Sequence, residues 1–82
     1  MSYGILILRR AARQLAGLPP EAYAAVRDCV RALGSEPLPP ESEKIAGREG
    51  WRLPVGRYRV IYKVDLPAAR VTVLDVSPRS DV

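Results

Sequence analysis

The stretch "GWRLPVGRYRVIYKV", Gly50–Val64, has the alternating apolar and polar pattern of two β-strands joined by a short turn. Gly56 and Arg57 are placed to form a two-residue turn, in which the glycine adopts the positive φ that a type II′ turn requires. The stretch therefore predicts a hairpin with strands over Gly50–Val55 and Tyr58–Asp65.

The predicted register gives the hairpin two different faces, because successive side chains of a strand point in opposite directions. The face expected to pack in the core carries Trp51, Leu53, Val55, Tyr58, Val60, Tyr62 and Val64. The opposite face carries Arg52, Pro54, Arg59, Ile61 and Lys63. Arg52 and Arg59 become diagonal neighbours about 7 Å apart. Pro54 has no N–H, so it requires a sheet edge or a position without a hydrogen bond.

Positive charge is concentrated in this region of the chain. Residues 44–63 carry six basic side chains and one acidic side chain, a net charge of +5, whereas the whole chain carries +4. The basic residues are Lys44, Arg48, Arg52, Arg57, Arg59 and Lys63. Two interpretations are open: a solvated face whose arginines pair with acids elsewhere, or a concave face that binds an anion, with RNA phosphate as the ligand.

Two helices are predicted before the hairpin, over residues 9–18 and 19–34. The second begins with prolines and has Gly34 as its stop signal. Its apolar face carries Tyr23, Val26, Cys29, Val30 and Leu33. Cys29 is therefore expected in the core.

Two further strands are predicted outside these elements. Tyr3–Leu8 is a short apolar run typical of a buried strand, and Arg70–Val76 is a second strand that ends before Pro78. The stretch 35–44 contains three prolines and is expected to be a loop.

The composition excludes several kinds of chemistry. There is no histidine, and the single cysteine can form neither an internal disulfide nor a cysteine metal cluster. The apolar run at the amino end is too short to span a membrane. We expect a soluble cytoplasmic protein that contacts no membrane and needs no metal or cofactor.

The segments "GREGWRLPVGRYRVIYKVD" and "VTVLDVSPRSDV" resemble the RelE/ParE superfamily of toxins from type II toxin–antitoxin systems, and most closely its RelE branch. The resemblance implies one compact α+β domain over residues 1–82, with the order β-α-α-β-β-β. Its sheet is mainly antiparallel and twisted, with two helices packed on one face. It also implies a cognate antitoxin that covers the basic face. RelE toxins act on messenger RNA and the ribosome, where they cut the message in the decoding site.

Carried over from the RelE branch, the catalytic residues are Arg52, Arg59 and Arg79. Pro54 stands in place of a second basic residue, and the late tyrosine of RelE enzymes would follow Val82, so weak cleavage or none is expected. The predicted RNA-binding residues are Lys44, Arg48, Arg57 and Lys63. Cleavage requires the 2′-hydroxyl to attack phosphorus, and arginines would stabilise the charge that develops on the phosphoryl oxygens.

Three functions remain open at this point. The first is a ribosome-dependent endoribonuclease that cuts messenger RNA. The second is a ParE-like inhibitor of DNA gyrase, which needs binding but no nuclease chemistry. The third is an inactive, toxin-derived module that retains only its antitoxin.

Overall fold

In the computed structural model, which describes residues 2–79, two helices pack on one face of a five-stranded sheet. The elements are β1 (Gly4–Ile7), α1 (Arg9–Ala16), α2 (Pro20–Ala32), β2 (Glu43–Lys44), β3 (Trp51–Val55), β4 (Tyr58–Asp65) and β5 (Arg70–Pro78). The strand order is β1-β5-β4-β3-β2, with β1 parallel to β5 and the other pairs antiparallel. The predicted α+β class and mainly antiparallel sheet are confirmed.

The hairpin of β3 and β4 has the predicted register. Its five residue pairs run from Trp51 opposite Tyr62 to Val55 opposite Tyr58. Gly56 has a φ of 58°, in the left-handed region that the turn requires. The local alternation and the glycine turn are thus sufficient to define this part of the fold.

The face of the hairpin predicted to be buried is the face that packs in the core. Four of its residues are buried, and Trp51, Tyr58 and Val64 are partly buried against them. Tyr62 is the largest fully buried side chain, and its hydroxyl donates a hydrogen bond of 2.9 Å to the carbonyl of Pro37. Tyr62 therefore ties the proline-rich loop to the centre of the sheet.

The second helix contributes most of its predicted apolar face to the core. Val26, Val30 and Leu33 are buried, and Cys29 is partly buried beside them, where burial raises the pKa of its thiol. Tyr23, which was also assigned to the apolar face of this helix, is 38% exposed and lies outside the buried core. It lies in the first turn of α2, with the Arg27 guanidinium 5.7 Å from its ring centroid.

Neither α1 nor α2 is long and apolar enough to cross a membrane, and no other helix occurs in residues 2–79.

Several helix and strand ends lie one or two residues from their predicted positions, and two differences have a cause in the pairing of the sheet. The stretch 35–44 was predicted to be entirely loop, but Glu43–Lys44 forms β2 at the edge of the sheet. The last strand continues to Pro78 instead of ending at Val76, because its far end remains paired with the start of β4, where Tyr58 lies opposite Pro78. In both cases, pairing with a neighbouring strand makes residues adopt β-structure that their local sequence does not favour.

The pairing of β4 with β5 contains a β-bulge. Ile61 lies opposite Asp75, but the next residue of β4 lies opposite Val73, so Leu74 has no partner. Val73 and Val76 are both buried although they are three positions apart. The bulge therefore turns both Leu74 and Asp75 toward the outer face of the sheet, which is the face away from the core.

Candidate anion-binding site

The outer face of the sheet contains a cavity of about 410 Å³ in which four arginines from different parts of the chain meet. We call it the arginine cavity. Its lining residues are Arg10, Ile45, Arg48, Arg52, Arg59, Ile61, Leu74 and Asp75. The sequence predicted that Arg48, Arg52 and Arg59 were functional, and the structure brings these three together. The sequence analysis did not identify Arg10, which lies on α1, as a member of this group.

Arg59 is the arginine of this cavity with an unsatisfied donor. Its side chain is half-buried, and its Nε is buried without a hydrogen-bond partner in residues 2–79. A buried donor without a partner is unfavourable by about 1–3 kcal/mol, more for a charged group. The guanidinium that carries this donor also lines the cavity, where its positive charge can attract an anion.

Arg52 is partly compensated by an acid that the sequence did not identify as its partner. Its Nε lies 3.2 Å from Oε1 of Glu43, because β2 places Glu43 directly opposite Arg52. Glu43 lies one residue outside the basic segment 44–63, and β2 was not predicted. Both side chains are exposed, at 43% and 66%, so the pair contributes only about 0–1 kcal/mol and leaves Arg52 available to a ligand.

Pro54 occupies the position its missing N–H requires. It lies opposite Arg59, and β2 pairs only with Trp51 and Arg52, so no strand lies beside Pro54 on its other side. The two residues flanking a two-residue turn form a hydrogen-bonded pair, so the next pair, Pro54 with Arg59, is a non-hydrogen-bonded one. Side chains are close in such pairs, which brings the proline ring against Arg59.

Arg79, predicted to act with Arg52 and Arg59, lies at the hairpin turn and does not line the arginine cavity. Its Nη1 donates to the carbonyl of Gly56 at 3.2 Å, and its backbone N–H donates to the carbonyl of Arg57 at 2.8 Å. Arg57, a predicted RNA-binding residue, is exposed at the same turn. The two arginines therefore form a separate basic group at the end of the hairpin.

The two predicted RNA-binding lysines lie in a different hollow, of about 600 Å³. Lys44 and Lys63 line it together with Trp51, Arg70 and the acids Glu49 and Asp65. The ammonium of Lys44 is 5.7 Å from the centroid of the Trp51 ring, and it donates to the carbonyl of Arg48 at 3.4 Å. The predicted basic face is thus divided into three groups.

Asp75 places a negative charge among the arginines of the cavity. Its Oδ1 lies 3.2 Å from Nη2 of Arg10 and accepts a hydrogen bond of 2.9 Å from Gln14. Burial raises the pKa of Asp75. This effect is outweighed by hydrogen bonds from Gln14 and from the nearby Ser77 hydroxyl, and by the positive charges of Arg10 and Arg59, which all lower the pKa. The pKa of Asp75 consequently lies below its ordinary value.

Gln14 of α1 holds the bulge in place. Its Oε1 accepts a 2.8 Å hydrogen bond from the N–H of Val76, while its Nε2 donates to Asp75. The sequence reasoning missed both Gln14 and Asp75. The available signal was the run Val71, Val73, Asp75, in which strict alternation would point a carboxylate into the core.

The lowered pKa of Asp75 makes stability depend on pH. Ionised Asp75 contributes stability that is fully present above its unfolded pKa, near 3.8, and is lost as the pH falls through the folded pKa. We expect the free energy of unfolding to decrease less over this acidic range in Asp75→Asn than in the unmodified protein. Urea denaturation at a series of pH values measures this difference. Parallel pH curves for the two proteins would contradict the assigned shift.

Residues 5–82 match the family described as ParE toxin of type II toxin–antitoxin system, parDE. The chain is similar to the RelBE2 toxin–antitoxin complex of Mycobacterium tuberculosis, with 28% identity, a TM-score of 0.86, and coverage of 96% of this chain and 100% of that chain. It is also similar to the archaeal RelE–RelB complex of Pyrococcus horikoshii OT3, with 27% identity, a TM-score of 0.85 and full coverage of both chains (100% and 100%).

The intact RelBE complex of E. coli shares the fold, with a TM-score of 0.83 over 98% of this chain and 100% of that chain, at 17% identity. No curated protein sequence matches the chain. The predicted superfamily is confirmed by the family match and by the solved structures together. The chain belongs to the ParE toxin family of type II toxin–antitoxin systems, within the RelE/ParE superfamily, and structurally to its RelE branch.

Proposed function

We propose that this toxin inhibits translation by cutting messenger RNA on the ribosome. The observation that carries the proposal is the cavity that four guanidinium groups line, among them that of Arg59, whose Nε has no hydrogen-bond partner in residues 2–79. Guanidinium groups match the geometry of phosphate oxygens. Here they come from β3, from β4, from the loop between β2 and β3, and from α1. The similarity to the RelE–RelB structures, at 27% and 28% identity, supports the same proposal.

The proposed chemistry is attack of a ribose 2′-hydroxyl on the adjacent phosphorus. Negative charge grows on the phosphoryl oxygens during this step, and Arg52 and Arg59 are placed to stabilise it. Arg79 is exposed and its side chain makes one hydrogen bond within residues 2–79, to Gly56, so we propose that it turns toward the phosphate when RNA binds. Much of the remaining rate enhancement would come from positioning of the message by the ribosome.

The remaining basic groups are proposed to hold the RNA on either side of the arginine cavity. Arg48 lines the cavity itself, Lys44 and Lys63 line the neighbouring hollow, and Arg57 extends the basic surface at the turn. Pro54 offers no charge beside Arg59, so we propose slower cleavage than in an enzyme with a basic residue there. Contact with messages and ribosomes implies that the toxin acts in the cytoplasm.

A second candidate function is inhibition of DNA gyrase, which the match to the ParE family favours. Such a toxin would use the arginines to bind its target without cleaving anything. A third candidate is an inactive module that retains only antitoxin binding.

One experiment separates these functions. Purified protein is added to a ribosomal translation reaction, and breaks in the message are mapped; in parallel it is added to DNA gyrase with supercoiled DNA. Breaks that occur only with ribosomes, and that disappear in Arg59→Leu, support the proposal. Intact messages with stalled gyrase–DNA complexes would support the ParE-like function. No effect in either reaction would leave antitoxin binding as the function.

The comparisons with toxin–antitoxin complexes support a cognate antitoxin as partner. We propose that its acidic or amphipathic segment covers both the arginine cavity and the basic group of Arg57 and Arg79 at the hairpin turn. We expect Arg59→Ala and Arg79→Ala each to weaken the complex by about tenfold or more, through loss of carboxylate–arginine contacts. Titration calorimetry with the antitoxin peptide measures this. Arg13→Ala, which removes an exposed charge from α1, is the control. Unchanged affinity in both variants would mean that the antitoxin binds elsewhere.

A further inference from the structure

The arginine cavity holds one carboxylate, Asp75, among its described lining residues. A site that binds only phosphate gains nothing from an acid, because its charge repels the ligand. We propose that Asp75 makes the cavity selective for ribonucleotides, by accepting a hydrogen bond from a ribose 2′-hydroxyl whose neighbouring phosphate contacts the arginines. This inference rests on the proposed function and names the chemical feature of the RNA that the site recognises.

The position of Asp75 is built by several elements of the fold. The bulge in β5 turns it outward, and the amide of Gln14 holds both its Oδ1 and the N–H of Val76. Its side chain nevertheless remains 22% exposed, so a bound molecule can reach it. The carboxylate is thus fixed in one place while staying open to the cavity.

The chemistry of Asp75 suits acceptance of a hydroxyl hydrogen. An ionised carboxylate accepts hydrogen bonds and donates none, and its two oxygens offer about four acceptor positions. The contacts of Gln14 and Arg10 both fall on Oδ1, and the nearby Ser77 hydroxyl takes at most one further position, so acceptor capacity remains. Its lowered pKa keeps the group ionised at neutral pH. The 2′-hydroxyl is the donor that distinguishes RNA from DNA beside each phosphate.

The test compares two short single-stranded oligonucleotides of the same sequence, one with ribose and one with 2′-fluoro sugars. The fluorine cannot donate a hydrogen bond, while the phosphates are the same. We expect the unmodified protein to bind the ribose form about tenfold more tightly, as for one hydrogen bond to a charged group. Both affinities are measured by fluorescence anisotropy at one fixed salt concentration, because phosphate contacts depend on salt.

In Asp75→Ala we expect the ratio of the two affinities to fall to about one. Removing a negative charge strengthens binding of both oligonucleotides, so the ratio is independent of the general electrostatic change. Asp75→Asn preserves the size of the side chain and should also lower the ratio. The control is Glu36→Ala, which removes an exposed acid outside the cavity and should leave the ratio unchanged.

A ratio that persists in both Asp75 variants would overturn the inference, because Asp75 would then serve only to hold Arg10. Equal binding of the two oligonucleotides by the unmodified protein would also overturn it. Neither result depends on cleavage, so the proposed function survives or fails separately in the ribosome reaction. A ratio that falls to about one in Asp75→Ala, is lowered in Asp75→Asn and is kept in the control supports the inference.

Discussion

Replacing Arg59 with leucine is expected to lower the rate of message cleavage by about 100-fold or more, since one preorganised group that stabilises transition-state charge commonly contributes that much. The domain should remain folded in this variant. The Nε of Arg59 has no hydrogen-bond partner within residues 2–79, so the change removes an unsatisfied buried donor. Leucine retains the apolar part of the side chain between Pro54 and Ser77.

Two measurements check this expectation. Cleavage rates are compared in the ribosomal reaction, and the free energy of unfolding is measured with urea. Arg13→Leu is the matched control, because it removes the same charge from an exposed position of α1 outside the arginine cavity. If Arg59→Leu unfolds the domain, the guanidinium belongs to a structural network and the interpretation of the outer face as a ligand site fails.

Replacing Tyr62 with alanine is expected to decrease the free energy of unfolding by about 3–5 kcal/mol, the usual range for deleting a buried aromatic side chain. Tyr62 is 0% exposed and packs between the sheet and the helices. Its hydroxyl also holds the loop at Pro37. A small domain has a total stability of only about 5–15 kcal/mol, so this single change removes much of it.

Tyr62→Phe separates the two contributions of this side chain. It retains the ring and loses the hydrogen bond to Pro37, so we expect a loss of only about 1 kcal/mol. Urea denaturation of both variants at neutral pH gives the comparison. A loss below about 1 kcal/mol in Tyr62→Ala would show that the core repacks around the missing ring and that Tyr62 is not its centre.

The sequence alone determined the elements whose signals are local. The hairpin register followed from period-two alternation and from one glycine at the turn, both of which act within a few residues. The second helix followed from its apolar spacing and its first-turn proline. The loop predicted over 35–44 contains β2, and the predicted end of β5 was wrong, because at both places a paired neighbour decides whether a residue belongs to a strand.

Only the tertiary structure decided the composition of the candidate site. Gln14 and Asp75 are 61 positions apart in the chain, and no local pattern connects them. They meet because Val73 and Val76 both pack in the core, which is possible only if the strand bulges and turns Asp75 outward. The same packing sets α1 against β5 and brings Arg10 to the cavity. Burial of apolar surface over the whole domain, and not local propensity, thus placed a carboxylate among the arginines.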